Sequence, residues 1–322
     1  MVYSDRYSRR FRPGLSMRVL TLRWRIALAF MSIYTIWGST YLAIRLAIET
    51  FPPFLMAAIR FLIAGGALYA WMRLKGAPRP TRANWKAATI VGVFLLLGGN
   101  GGVVKAEQVF PSGLTAVLIT TVPIWMALVE LVRKDRIVPT LHVVLGLVLG
   151  FGGVVLLVGP GNLVGSGGLN PLWVGVLILA SLSWAIGSVY SRKASLPRTP
   201  LLGSGMEMLT GGALLLVVSL VSLEWVGFQP SNVSVLSLVS FIYLIVFGSL
   251  IGFSSYVWLL TKTTTARVST YAYVNPVVAV FLGYFLAGEQ LTLRTVLAST
   301  VIVIAVVVIT TFKSRQAVPD DE

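Results

Sequence analysis

Long apolar runs alternate with short polar gaps along almost the whole chain. A helix needs about 20 mostly apolar residues to cross the hydrocarbon core of a bilayer. By that measure the pattern predicts ten spans, at 26–46, 53–73, 85–106, 111–132, 140–159, 171–191, 200–223, 235–258, 266–286 and 292–312. Each must be helical, because a helix satisfies its own backbone hydrogen bonds and an open strand in lipid does not. Serine and glycine dilute the 232–260 stretch most. The fold class expected is an all-α integral membrane protein with ten transmembrane helices.

The gaps carry the charge. With the N-terminus inside, the two tails and alternate loops hold 22 of the 26 Lys and Arg, leaving Arg45, Lys105 and Arg294 opposite and Arg60 within the second span. Such asymmetry places both termini in the cytoplasm. The expected organisation is a basic N-terminal tail over 1–25, one five-helix unit over 26–159, a second over 171–312, and a C-terminal tail over 313–322.

The two units resemble each other. Ser32, Gly38, Ser39 and Tyr41 recur as Ser181, Gly187, Ser188 and Tyr190, "RFLIAGGALY" (60–69) is echoed by "MEMLTGGALL" (206–215), and Pro123 falls on Pro276. Five spans per unit is an odd number, so the second repeat enters from the other side and the repeats are inverted. That plan is common among secondary transporters, with the substrate near the midplane between the halves.

Composition narrows the function classes. Charged residues make up 11% of the chain, against about 25% in soluble domains. The net charge of +15 sits in short loops and not on one face, which argues against a nucleic-acid partner. Without cysteine there are no disulfides and no thiolate chemistry. The lone His142 has no HExxH partner and no GxxxxGK[ST] loop is present, so neither a metal nor another cofactor is expected. The first apolar run continues from Ile26 to about Ala47 without an A-x-A site, which reads as an anchor and not as a cleaved signal.

The stretches "WGSTYLAIR", "AAIRFLIAGG", "GNGGVVKAEQVFPSGLTAVLITTVPIWMAL" and "VNPVVAVFLGYFLAGEQLT" together resemble the EamA family of the drug/metabolite transporter superfamily, over nearly the whole chain. The resemblance implies export of small metabolites across a bacterial inner membrane, with exporters of aromatic amino acids the nearest members. Similar sequences often carry an aromatic residue before "AEQ", where this chain has Lys105.

Candidate residues follow from depth. Trp37, Pro123, Trp184 and Pro276 lie about 10–14 residues into their helices, or ~15–21 Å, near the centre of a ~30 Å core. A mid-depth Trp needs a partner for its N–H, from packing or from a cavity wall. The expected substrate-binding set is Trp37, Ser39, Tyr41, Asn100, Thr121, Trp184, Ser188, Tyr256 and Asn275. Pro123 and Pro276 each remove a backbone hydrogen bond and are expected to kink or hinge their helices. Gly38 and Gly187 are expected to allow close packing between the repeats. Glu207, alone among the acids in lying well inside a span, is a candidate coupling group. Lys105 is a candidate gate charge, Glu107 partner or snorkelling residue, and Arg60 reads as structural. The alternatives are another solute (a nucleoside, sugar or cationic drug) and, more remotely, an intramembrane enzyme, against which the lack of paired carboxylates counts.

Overall fold

The computed structural model describes residues 13–110, 112–133, 137–158, 170–287, 292–311 and 315–316. Parts of both expected tails, and residues 159–169, lie outside them. The helices are α1 (Pro13–Ala47), α2 (Pro53–Leu74), α3 (Arg82–Ala106), α4 (Ser112–Ile119), α5 (Val122–Leu131), α6 (Leu141–Val158), α7 (Pro171–Ser191), α8 (Pro200–Val221), α9 (Val235–Leu260), α10 (Tyr271–Ala287) and α11 (Leu293–Thr311). Among the described residues seven are long and apolar enough to cross a membrane: α1 from Leu22, α2, α3, α7, α8, α9 and α11. Thr115–Leu131 and Leu141–Leu157 are apolar but shorter.

Local chemistry sets the helix starts. Pro53 opens α2, and the Leu55 N–H is capped by the Glu224 carboxylate at 2.6 Å. Thr81 and Asn84 form a reciprocal capping box at the start of α3. Asn170 followed by Pro171 starts α7, and Ser234 caps α9.

Three features differ from the sequence expectation. Helix α1 reaches back to Pro13, because Arg, Leu and Met are good helix formers whether or not the segment is in lipid. The fourth predicted span is interrupted: α4 ends before Thr120–Thr121 and α5 starts with Pro123 in its first turn, where a missing N–H costs nothing. A two-residue antiparallel ladder, β1 (Ile137–Val138) with β2 (Arg315–Gln316), ties the loop after α5 to the chain's end.

Helices α2 and α8 pack against each other more extensively than any other described pair. A Cβ on Gly65 would fall 2.8 Å from the Leu209 nitrogen and 2.9 Å from the Gly205 oxygen, and one on Gly212 would fall 3.0 Å from the Leu62 nitrogen. Small residues let membrane helices approach this closely. Going up α2 from Leu62 to Gly65 means going down α8 from Gly212 to Gly205, so the pair is antiparallel. Helices α6 and α11 are antiparallel too, with Gly146 beside Ile309 and Gly153 beside Ile302. Leu28, Met31, Val148, Leu297, Val303 and Val307 face outward, an apolar surface suited to lipid.

Candidate functional site

Midway along α3 and α9 the backbone widens to i→i+5 turns, over Val93–Asn100 and Leu244–Phe253. Such π segments recur at functional sites and leave carbonyls in search of donors. Both are answered from the first helix of the other half. Trp37 on α1 donates Nε1–H to the Gly248 carbonyl at 3.2 Å, and Ser183 on α7 donates to the Phe94 carbonyl at 2.7 Å. Glycine makes the approach possible: a Cβ on Gly252 would sit 2.5 Å from Trp37 Nε1, and one on Gly99 2.8 Å from the Trp184 ring. Gly38 and Gly187 do the same, against Val278 on α10 and Phe94 on α3.

Around these segments lies a cavity. Residues from both halves line it, Trp37, Tyr41, Arg60 and Asn100 from the first and Trp184, Gly248, Tyr271 and Asn275 from the second. Four aromatic rings, three on its wall and Tyr256 behind them, pack into one cluster: Trp37 lies 5.6 Å from Trp184, 5.0 Å from Tyr256 and 4.9 Å from Tyr271, edge-on to Trp184 and Tyr271. Pairs of this geometry contribute ~0.5–1.5 kcal/mol each beyond burial.

Of the sequence candidates, Trp37, Tyr41, Asn100, Trp184 and Asn275 are brought together on the cavity wall. Asn275 has its amide nitrogen within 2.9 Å of the Tyr271 carbonyl and 3.3 Å of that of Tyr34 once the amide is turned to face acceptors. Four candidates stand off the wall. Tyr256 is fully buried, accepting from Trp184 Nε1 at 2.9 Å and sharing a 2.5 Å hydrogen bond with Ser188. Ser39 bonds the Tyr243 hydroxyl at 2.6 Å. Thr121 donates to the Leu118 carbonyl at 2.8 Å, so its hydroxyl serves the broken helix. The two prolines differ as well, since Pro123 begins a helix after a break whereas Pro276 lies inside a continuous one.

The charged candidates separate. Lys105 lies over the Phe54 ring at 5.7 Å, while Arg45 donates to the Glu107 carbonyl oxygen. Glu107, just beyond the end of α3, buries both carboxylate oxygens without partners; that burial pushes its pKa well up, opposed by Arg45. Glu207 is also fully buried and unpartnered, off the cavity wall. Arg60, read from the sequence as structural, lines the cavity. The π segments have no sequence signature beyond glycine at 98, 99, 248 and 252.

An apolar helical shell around a polar and aromatic cavity is the arrangement of a membrane protein with a small-molecule site. The chain belongs to the EamA-like transporter family, whose model matches residues 24–159 and again 171–311. It is 40% identical over 284 residues to the uncharacterized inner membrane transporter YedA of Escherichia coli strain K12, covering 88% of this chain and 89% of that one. It is 26% identical to the uncharacterized transporter YoaV of Bacillus subtilis strain 168, covering 91% of this chain and 99% of that one. A solved crystal structure with 20% sequence identity superposes with a TM-score of 0.70, over 88% of this chain and 96% of that one, and shares the fold. The name of YedA sets that relative in the inner membrane, and this chain's apolar helices suit a multi-pass membrane protein of this transporter family.

Proposed function

We propose that the protein is an inner-membrane secondary exporter of small metabolites, amino acids and aromatic amino acids among them, working by alternating access. In this reading ten helical spans form two inverted five-helix repeats with both termini cytoplasmic. The twofold family match supports the repeat, and the antiparallel packing of α2 with α8 and of α6 with α11 supports the inversion. Crossed bonds from α1 to α9 and from α7 to α3 give each half a grip on the other at mid-depth.

The observation that carries the proposal is the cavity between the halves, with Trp37, Trp184 and Tyr271 for a ring and Asn100, Asn275 and Arg60 for polar ends. Widened turns in α3 and α9 are natural points of flexure beside it. Counterflow of radiolabelled amino acids in proteoliposomes tests the reading: saturable exchange of at least one, reduced by Trp184→Ala, is expected. Absence of exchange across the amino-acid panel contradicts it.

A further inference from the structure

Arg60 is the one formally charged side chain among the described residues that line the cavity. Its residue is only 4% exposed, yet no acid among the described residues pairs with it. Nε donates to Ser249 Oγ at 2.7 Å, and Cζ lies 4.7 Å from the Phe61 ring centroid. These contacts fix the guanidinium plane. They leave Nη1 buried without a hydrogen-bond partner. Gly248 keeps the other side open, since a Cβ there would fall 2.9 Å from Nη2.

A guanidinium buried within a membrane span without a counter-ion is costly, and such residues mark substrate paths. On the same wall Asn100 Oδ1 is a buried acceptor without a donor. The cavity wall thus holds a buried, unmatched cationic donor and a buried, unmatched neutral acceptor, in a lining that also includes Trp37 and Trp184.

We propose that Arg60 is the anchor for a carboxylate, so that the site selects small carboxylate-bearing solutes, with Asn100 Oδ1 receiving a donor such as an ammonium group on the same molecule. The inference rests on the transport reading above and narrows its substrate class. Charge balance favours a carboxylate over a phosphate: one guanidinium neutralises one negative charge, whereas a phosphate monoester carries about −1.5 to −2 at neutral pH. A cationic drug would meet Arg60 with like charge. A neutral sugar would bring no anionic group to Arg60.

The test is ligand stabilisation of the full-length protein in detergent, read from the thermal unfolding midpoint. The probes are acid and amide pairs: L-phenylalanine with L-phenylalaninamide, 3-phenylpropionate with its amide, and 4-hydroxybenzoate with its amide, with phenyl phosphate as the phosphate arm. Wild type is expected to bind at least one acid about tenfold or more tightly than its amide and than phenyl phosphate. Arg60→Gln is expected to lose that preference, and Arg60→Lys to keep part of it because the charge remains. Gln removes a buried charge, so the variant is expected to fold. Equal binding of acids and amides, tighter binding of phenyl phosphate, binding of none of the acids, or an unchanged preference in Arg60→Gln overturns the inference. Binding of an aryl acid through Arg60 without binding of L-phenylalanine upholds it while contradicting the amino-acid reading.

Discussion

The Trp37 indole donates to the Gly248 carbonyl at 3.2 Å, joining the first helix of one half to a widened turn in the other. Trp37→Phe keeps the ring but leaves that carbonyl without its donor, at a cost of ~1–3 kcal/mol. Gly252→Ala places a methyl group 2.5 Å from Nε1 and displaces the indole. Both variants are expected to lower the thermal unfolding midpoint in detergent, and Gly252→Ala to alter tryptophan emission. An unchanged midpoint in both would show that the bond does not bridge the halves.

Neighbouring glycines on α2 provide a matched control. At Gly65 a Cβ meets backbone of α8 at 2.8 Å, whereas at Gly66 the nearest atom is Leu209 Cδ2 at 4.0 Å. Gly65→Ala is expected to destabilise by ~1–3 kcal/mol through overpacking. Gly66→Ala is expected to be near neutral, or slightly stabilising because alanine favours the helix. Equal effects in thermal unfolding would contradict the close approach of α2 and α8.

Glu130, at the end of α5, accepts from Thr265 at 2.6 Å and pairs with Arg192 at 3.4 Å, across the two halves. Its side chain is 8% exposed and that of Arg192 25%. Glu130→Ala strips the acceptor from both partners, an expected loss of ~1–3 kcal/mol. Arg192→Ala leaves Glu130 held by Thr265 and removes a partly solvated pair worth under about 1 kcal/mol. A larger loss for Arg192→Ala in thermal unfolding would reverse this assignment.

Glu107 predicts a pH dependence. Burial raises its folded pKa above the unfolded value. Its contribution to stability is therefore fully present below the unfolded pKa and is lost as pH rises through the folded one. The unfolding midpoint is expected to fall with rising pH above the ordinary carboxylate range, and less so in Glu107→Gln. Identical pH profiles for the two proteins would exclude Glu107 as the source.

Much of the fold was legible because hydropathy alone locates a membrane helix: α2, α7, α8 and α11 follow their predicted spans within a few residues. Depth along the helices singled out Trp37 and Trp184, whose rings lie 5.6 Å apart. Direction around the helix axis was not legible. In helices apolar on every side, sequence spacing does not say which face meets a cavity, so Arg60 reads as structural and Tyr256 as lining, although Arg60 is on the wall and Tyr256 behind it. The π segments escaped for a related reason, since an i→i+5 turn is selected by packing between helices. The break at Thr120–Thr121 was half legible: Pro123 announced a disturbance, but the hydroxyls that serve the Val117 and Leu118 carbonyls show themselves only in three dimensions.

The central claim, passage of amino acids through the cavity between the halves, is tested most directly by exchange of a radiolabelled amino-acid panel in proteoliposomes, comparing wild type with Val103→Trp. Val103 lies on the cavity wall, so the indole fills space that a substrate needs. The account predicts saturable exchange of at least one amino acid by wild type and its loss, or at least a tenfold reduction, in a folded Val103→Trp protein. Exchange of no amino acid by wild type, or undiminished exchange with the cavity filled, would contradict it.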